Sequence, residues 1–208
     1  MSVVRGPVTS GERFSEPLRF ESLDSTNEEL RRRLLDGRCG DGSVVLADRQ
    51  TGGRGRLGRT WESPAGNLHL SIARRMHEHP ELSAAMTLVT GQALASALED
   101  SYELRPEIKW PNDLLLAGRK LAGILVEGHG HWQIIGVGVN VGVECTDLPP
   151  ELRSRATSLR EHLGLAPEPA ELAARFLDAF APLETDFLTH GVLDMALWTR
   201  YWGDRGRR

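Results

Sequence analysis

The fold class is predicted from residues 108–141, IKWPNDLLLAGRKLAGILVEGHGHWQIIGVGVNV. Its apolar segments predict four β-strands, at 108–110, 114–116, 121–127 and 132–141. The turns between them are short: Pro111-Asn112-Asp113, Ala117-Gly118-Arg119 and Gly128-His129-Gly130. Connections of this length join antiparallel neighbours, whereas parallel strands need a crossover of a dozen or more residues. The stretch therefore predicts an antiparallel meander.

The flanking sequence predicts strands and helices in separate blocks. Strands are expected at 17–22, 43–47 and 68–74, and helices at 24–37, at 81–99 and from Ala170 onward. Ser25 and Glu28 match a capping box at the start of the first helix. Residues 68–74 alternate apolar and polar side chains, which predicts a half-exposed strand. Strands joined by hairpins, followed by helices, indicate an α+β fold with a mixed, largely antiparallel sheet, and not a doubly wound parallel sheet.

Composition limits the class of protein. The chain has 208 residues, 40% apolar and 26% charged, which suits one domain spanning 1–208 with a loose arm at 1–16. A net charge of −4 argues against a nucleic-acid coat protein. The longest apolar run is too short to cross a membrane, and two cysteines fit neither a disulfide framework nor a metal cluster. We expect a cytoplasmic protein with no membrane or nucleic-acid partner.

The two lysines are unusual in this arginine-rich chain. Of 25 basic residues only Lys109 and Lys120 are lysines, and they lie eleven positions apart. An ammonium group is a compact charge that a guanidinium does not replace, so both lysines are candidate functional residues. The alternative is chance placement.

Residues 52–59, GGRGRLGR, form a segment that we call the Gly-Arg loop. Glycines let several backbone N–H groups converge on one anion, and arginines add forked donors for phosphate or carboxylate. The spacing of Gly53, Gly55 and Gly58 matches a dinucleotide-binding fingerprint, but no helix is predicted directly after it, so we reject that interpretation. An RNA-binding segment or a plain surface loop are the alternatives. We expect the loop to be mobile without a ligand.

Two further segments carry candidate ligand contacts. Lys109 and Asp113 bracket a tight turn, and Lys120 follows seven residues later at the start of the next strand. Asp113 could hold Mg²⁺ on a polyphosphate; the alternative is a surface salt bridge. Glycines alternate along 136–142, which suggests that a flat ligand near Asn140, or a packed helix, approaches the strand closely.

Together these segments resemble the biotin–protein ligase family, also called biotin–[acetyl-CoA-carboxylase] ligase. The matching motifs follow the family's order over residues 18–202. They are 24–27 (DSTN), 50–61 (QTGGRGRLGRTW), 109–113 (KWPND), 118–127 (GRKLAGILVE) and 136–140 (GVGVN).

The resemblance implies a fold like that of class II aminoacyl-tRNA synthetases. It also implies an ATP-dependent enzyme that makes biotinyl-5′-AMP and passes the biotinyl group to a lysine of a biotin carboxyl carrier domain. The implied biotin contacts are Ser25, Thr26, Asn27, Gln50, Arg54, Gly55, Arg56, Lys120 and Gly123. The implied ATP and adenylate contacts are Arg56, Arg59, Trp61, Lys109, Asn112, Asp113, Lys120 and Asn140. The implied catalytic residues are Lys120, Arg56, Lys109 and Asp113, the last with Mg²⁺.

The resemblance also sets expectations about domains and rivals. We expect no N-terminal helix-turn-helix, hence no operator binding, and no C-terminal SH3-like barrel. A homodimer through the sheet is an option that the sequence leaves open. The nearest rival function is a lipoate or octanoyl ligase or transferase, followed by a non-catalytic biotin-binding module and, distantly, a dinucleotide oxidoreductase.

Overall fold

A seven-stranded mixed sheet organises the molecule. The computed structural model describes residues 13–75 and 85–203. The strands of these residues are β1 (Leu18–Leu23), β2 (Val44–Gln50), β3 (Leu68–Arg75), β4 (Glu107–Lys109), β5 (Asp113–Leu116), β6 (Arg119–His129) and β7 (Trp132–Val139). Their order is β1-β2-β3-β7-β6-β5-β4; β1 and β2 run parallel and every other neighbouring pair is antiparallel. The predicted α+β class is confirmed.

The predicted meander is confirmed as β4 to β7, with small shifts of its ends. Trp110 lies in the turn after β4, and Asn140 and Val141 follow β7. One irregularity interrupts the register between β5 and β6. Leu114 pairs with Ala122 but Leu115 pairs with Lys120, so β6 carries one extra residue at this point, a β-bulge.

Helices cover both faces of the sheet. They are α1 (Thr26–Leu35), α2 (Met86–Tyr102), α3 (Pro150–Arg153), α4 (Leu159–Leu163), α5 (Pro169–His190) and α6 (Met195–Tyr201). Val44 and Leu46 of β2 pack on the side of α2 and α5, whereas Val45 and Ala47 pack on the side of α1. The alternation follows from the two-residue period of a strand. The α2/α5 side holds the larger core, and the α1 side is where the candidate site lies.

Two helix predictions need only new boundaries. α5 confirms the helix expected from Ala170. α2 confirms the helix expected at 81–99, although residues 81–84 of that prediction lie outside the described residues.

The prediction that β3 is half-exposed is wrong, because every residue of β3 except Arg75 is buried. Its polar residues His69 and Ser71 do not face solvent. The Ser71 hydroxyl lies 2.5 Å from the side-chain oxygen of Asn27 at the start of α1. The polar side chains of this strand therefore form internal contacts: Ser71 lies against α1, and the His69 ring lies 3.4 Å from the Pro64 carbonyl oxygen.

The predicted capping box is also wrong. The side chain of Ser25 accepts no helix N–H group, and Glu28 pairs with Arg31. Gln50 at the end of β2 does the capping instead, since its Oε1 accepts a 2.8 Å hydrogen bond from the backbone N–H of Thr26. A side chain distant in sequence has replaced the local cap.

The expected loose arm 1–16 is wrong at its last residues. Phe14 is 7% exposed and stacks on Phe180 of α5, with ring centroids 6.1 Å apart. Ser15 donates its backbone N–H to Gly42. Residues 1–12 lie outside the described residues. In the part of the chain that the structure describes, no helix combines the length and the apolar character needed to cross a membrane.

Candidate active site

A cavity of about 620 Å³ opens on the α1 face of the sheet. It is bounded by the start of α1, the Gly-Arg loop, strands β5 and β6, and the end of β7. All fifteen residues predicted from the sequence as site residues line it: Ser25, Thr26, Asn27, Gln50, Arg54, Gly55, Arg56, Arg59, Trp61, Lys109, Asn112, Asp113, Lys120, Gly123 and Asn140. The motifs that are separate in sequence thus meet at one place.

One end of the cavity is a network of neutral polar groups. Gln50 accepts from the Thr26 backbone at 2.8 Å and from the Thr26 hydroxyl at 3.2 Å, and its amide donates to the Ser63 hydroxyl at 2.9 Å. The Thr26 hydroxyl lies 2.7 Å from that of Ser71. These bonds hold the Thr26 and Gln50 side chains in defined orientations beside Ser25.

The Gly-Arg loop is a small hairpin over the cavity. The backbone N–H of Gly55 donates to Arg59 at 2.7 Å, and that of Trp61 donates to Gly53 at 3.0 Å. A Cβ on Gly53 would lie 2.4 Å from the Trp61 carbonyl oxygen, so only glycine allows this crossing. A single 3-10 turn at Arg56–Gly58 carries the exposed tip. The absence of a long helix after the loop agrees with rejecting the dinucleotide fingerprint.

The arginines of the loop have different surroundings. Arg54 pairs with Glu127, with Nη2 2.8 Å from Oε2. Arg56 reaches the other side of the cavity mouth, where its Nη1 lies 3.4 Å from Oδ1 of Asn112. Among the described residues, no carboxylate lies within ion-pair distance of Arg56, Arg59 or Lys109, which are exposed cations at this mouth.

Lys120 and Asp113 form an ion pair inside the cavity, with Nζ 2.7 Å from Oδ1. Lys120 Nζ also lies 5.3 Å from the centre of the Trp61 ring, a cation–π contact. The main chain of Lys120 is held on both sides, because its N–H donates to Arg155 and its carbonyl accepts from Thr157. The salt bridge that the sequence left as an alternative is therefore present, with both side chains partly exposed, and its two partners line the cavity.

Protein groups occupy the space above the glycines of β7. A Cβ on Gly136 would lie 2.5 Å from Asn27 Oδ1, and one on Gly138 would lie 2.6 Å from Trp61 Nε1. The start of α1 and the Trp61 indole therefore account for two of the alternating glycines. Asn140, just beyond β7, donates its side-chain amide to the Thr157 carbonyl at 3.0 Å while lining the cavity.

Sequence reasoning missed two parts of the site. His69 of β3 lines the cavity and is 1% exposed; burial lowers the pKa of its imidazole to about 4, so the ring is neutral near pH 7. Ser154, Arg155 and Ala156 line the far wall. The polar positions of β3 were the available signal for His69, but a strand with alternating polarity looks the same when those positions face water.

The carboxylates of the site suit a metal ion only as part of a larger ligand. Among the described residues, no three His, Cys, Asp or Glu side chains are grouped as metal ligands. Asp113 is a single carboxylate beside Lys120. One carboxylate is enough for Mg²⁺ that is already bound to phosphates, so Asp113 fits that case.

Comparisons with known proteins give a consistent result. Residues 19–143 match the model of the Biotin/lipoate A/B protein ligase family. The chain is 32% identical to the bifunctional ligase/repressor BirA of Bacillus subtilis over 195 residues, covering 90% of this chain and 60% of that protein. It is 36% identical to the biotin–[acetyl-CoA-carboxylase] ligase of Paracoccus denitrificans over 176 residues, covering 81% of this chain and 72% of that protein.

A solved structure shows the same fold. The biotin protein ligase of Aquifex aeolicus in complex with biotin and ATP superposes with a TM-score of 0.76 at 32% identity. The match covers 85% of this chain and 73% of that one. The chain spans about 60% of the length of the Bacillus relatives that it matches.

Proposed function

We propose that this chain, which belongs to the Biotin/lipoate A/B protein ligase family, activates biotin with ATP and transfers the biotinyl group to a lysine of a carrier domain. The observation that carries the proposal is the division of the cavity. Neutral polar groups of Thr26 and Gln50 lie at one end, and the Lys120–Asp113 pair with the unpaired loop arginines lies at the other. Biotin matches that division, because its ring is neutral and its carboxylate tail has to reach the triphosphate of ATP.

In the first step the biotin carboxylate attacks the α-phosphorus of ATP, and pyrophosphate leaves. Two anions must approach each other, so the site has to offset their repulsion. We assign Lys120 to the carboxylate and the α-phosphate, and Arg56, Arg59 and Lys109 to phosphate oxygens. A Mg²⁺ ion carried in on ATP would be held by Asp113 and would add positive charge against the triphosphate.

The remaining contacts follow from the same division. We assign the ring of biotin to Ser25, Thr26, Gln50 and Arg54, with close backbone approach at Gly55 and Gly123. We assign the adenine to the region of Trp61, Asn112 and Asn140. Asn27 has both ends of its amide bonded within the protein, so we assign it to holding the start of α1 in place.

In the second step a carrier lysine attacks the carbonyl carbon of biotinyl-5′-AMP, forms the amide and releases AMP. Water competes for the same mixed anhydride, so the intermediate has to be covered until the lysine arrives. We assign that cover to the Gly-Arg loop, whose Arg56 reaches Asn112 across the mouth. A requirement for ATP agrees with the cytoplasmic location expected from the sequence.

The experiment mixes purified protein with ATP and either biotin or lipoate, and measures pyrophosphate release and acyl-AMP by mass spectrometry. We expect both products with biotin, and biotinylated carrier when a biotin carboxyl carrier domain is added. Products with lipoate alone would favour the lipoate branch of the family. Biotin binding with no pyrophosphate from any acid would show a non-catalytic biotin-binding module instead.

A further inference from the structure

Glu127, at the end of β6, bridges two elements that border the cavity. Its Oε2 accepts a 2.7 Å hydrogen bond from the side-chain amide of Asn27 and a 2.8 Å hydrogen bond from Nη2 of Arg54. Asn27 belongs to the start of α1 and Arg54 to the Gly-Arg loop, 100 and 73 positions away in sequence. One carboxylate oxygen thus ties the loop, the helix and the sheet together.

The Asn27 amide has a single orientation in this arrangement. Its oxygen lies 2.5 Å from the Ser71 hydroxyl, while its nitrogen donates to Glu127 and lies 3.4 Å from the Leu125 carbonyl oxygen. Asn27 is 4% exposed, and the glycine at 136 leaves room for its oxygen. Both groups that contact the Asn27 amide nitrogen are hydrogen-bond acceptors. A substitution at Glu127 therefore changes the closer acceptor that fixes the orientation of this buried amide.

Glu127 is the closer of the two carboxylates that lie beside Arg54. The other carboxylate nearby, Glu28, is 3.6 Å from Arg54 Nη2 and is already paired with Arg31. Arg54 stands at the base of the loop, between the backbone crossing at Gly53 and the tip at Arg56. Its pairing also cancels a positive charge at the end of the cavity that holds the neutral polar groups.

We infer that Glu127 is a positioning residue that holds Arg54 and Asn27 so that the Gly-Arg loop stays seated over the biotin end of the cavity. The identity of the ligand as biotin rests on the proposed function, whereas the effect of Glu127 on the loop does not. Glu127 touches no reacting atom, so it acts on the affinity for biotin and not on the chemical step. The loss of its charge leaves Arg54 with only the more distant Glu28 as an acidic partner, and this loosens the base of the loop.

The kinetic test compares Glu127→Gln with Glu28→Gln, which removes the more distant carboxylate beside Arg54. We expect Glu127→Gln to raise the KM for biotin about tenfold, with the KM for ATP and the kcat of pyrophosphate release within about threefold of the parent. Glu28→Gln is expected to stay within about twofold in all three constants. In a protein that already carries Arg54→Gln, the further substitution Glu127→Gln should raise the KM for biotin by a smaller factor than Glu127→Gln does alone, because one of the two partners of Glu127 is already absent. An unchanged KM for biotin in Glu127→Gln, or a loss confined to kcat, would overturn the inference.

A second measurement works without any substrate. The amides of Gly55 and Trp61 are hydrogen-bonded within the loop, so their hydrogen exchange reports how well it is seated. We expect Glu127→Gln to raise the exchange rates of both amides at least several-fold, and Glu127→Ala to raise them further. The midpoint of thermal unfolding should stay close to that of the parent protein. Faster exchange in a protein that lacks ligase activity would support the positioning role while refuting the proposed function. Unchanged exchange in an active ligase would refute the positioning role alone.

Discussion

Lys120 Nζ lies 2.7 Å from Asp113 Oδ1 because a β-bulge turns Lys120 toward the cavity. Along β6, Ala122 and Ile124 pack into the α2/α5 core, so regular alternation would send Lys120 into that core as well. The extra residue at Leu121, itself buried in the core, reverses the alternation. Lys120 then stands opposite Leu115 and diagonal to Asp113 on the cavity face.

Lys120 is predicted to be required for adenylate formation. Lys120→Ala removes the ammonium group that we assign to the attacking carboxylate and the α-phosphate. It should lower the rate of pyrophosphate release at least about a hundredfold, the size of effect expected for one charge-stabilising donor. Lys120→Arg keeps the charge but not the compact shape of the ammonium group, so its rate of pyrophosphate release should fall by nearly as much. Pyrophosphate release near the parent rate in Lys120→Ala would refute the proposed role.

Arg56 is predicted to retain the intermediate more than to form it. Arg56→Gly loses the contact with Asn112 and the charge-assisted bond to phosphate that we propose for Arg56, so biotinyl-5′-AMP should form but leave early. The measurement is biotin label on lysines of an unrelated bystander protein. Leu57→Gly is the control, since it relieves a left-handed residue (φ 58°) at the loop tip and keeps every arginine. Labelling restricted to the carrier in Arg56→Gly would contradict the retaining role of the loop.

Gly138 is predicted to have no tolerance for a side chain. In Gly138→Ala the new Cβ would lie 2.6 Å from Trp61 Nε1, and the displaced indole also contacts Lys120. We expect the free energy of unfolding to fall by about 1–3 kcal/mol and the KM for ATP to rise. Gly128→Ala in β6 is the matched control, because nothing lies within 4 Å of its added Cβ. Urea denaturation of both variants checks this, and equal stability of the two would count against the tight packing described.

Glu99 of α2 is predicted to make the free energy of unfolding depend on pH. The Arg200 guanidinium, together with the Tyr201 hydroxyl, lowers the pKa of Glu99 to about 2. Because the folded pKa lies below the unfolded one, the stabilisation is present above about pH 4.5 and is lost as the pH falls toward 2. Glu99→Gln should cost about 1 kcal/mol at pH 7, since the pair is partly exposed, and clearly less near pH 2.

Thermal or urea unfolding from pH 7 to pH 2 measures this difference. Glu21→Gln, on an exposed position of β1, serves as the control. A pH-independent difference between Glu99→Gln and the parent would show that packing, and not the charge of Glu99, links α2 to α6.

The meander and the candidate site residues could be predicted before the fold was known. Turns of three residues between 108 and 141 left the chain too short for crossovers, so neighbouring strands had to be antiparallel. Local patterns pointed to the Gly-Arg loop, the two lysines, Asp113 and Asn140, and the family resemblance implied the other site residues. All fifteen of them line one cavity.

The contacts among those residues could not be predicted, and they are visible only in the folded chain. Thr26 is capped by Gln50, Ser71 lies under α1, Lys120 is turned by a bulge, and Glu127 joins Asn27 to Arg54. Apart from the bulge, each of these links joins positions more than twenty residues apart. Local propensity does not encode such contacts, because hydrogen-bond partners are chosen by which faces the packing brings together. A polar residue in a strand therefore carries the same local signal whether water or another side chain satisfies it.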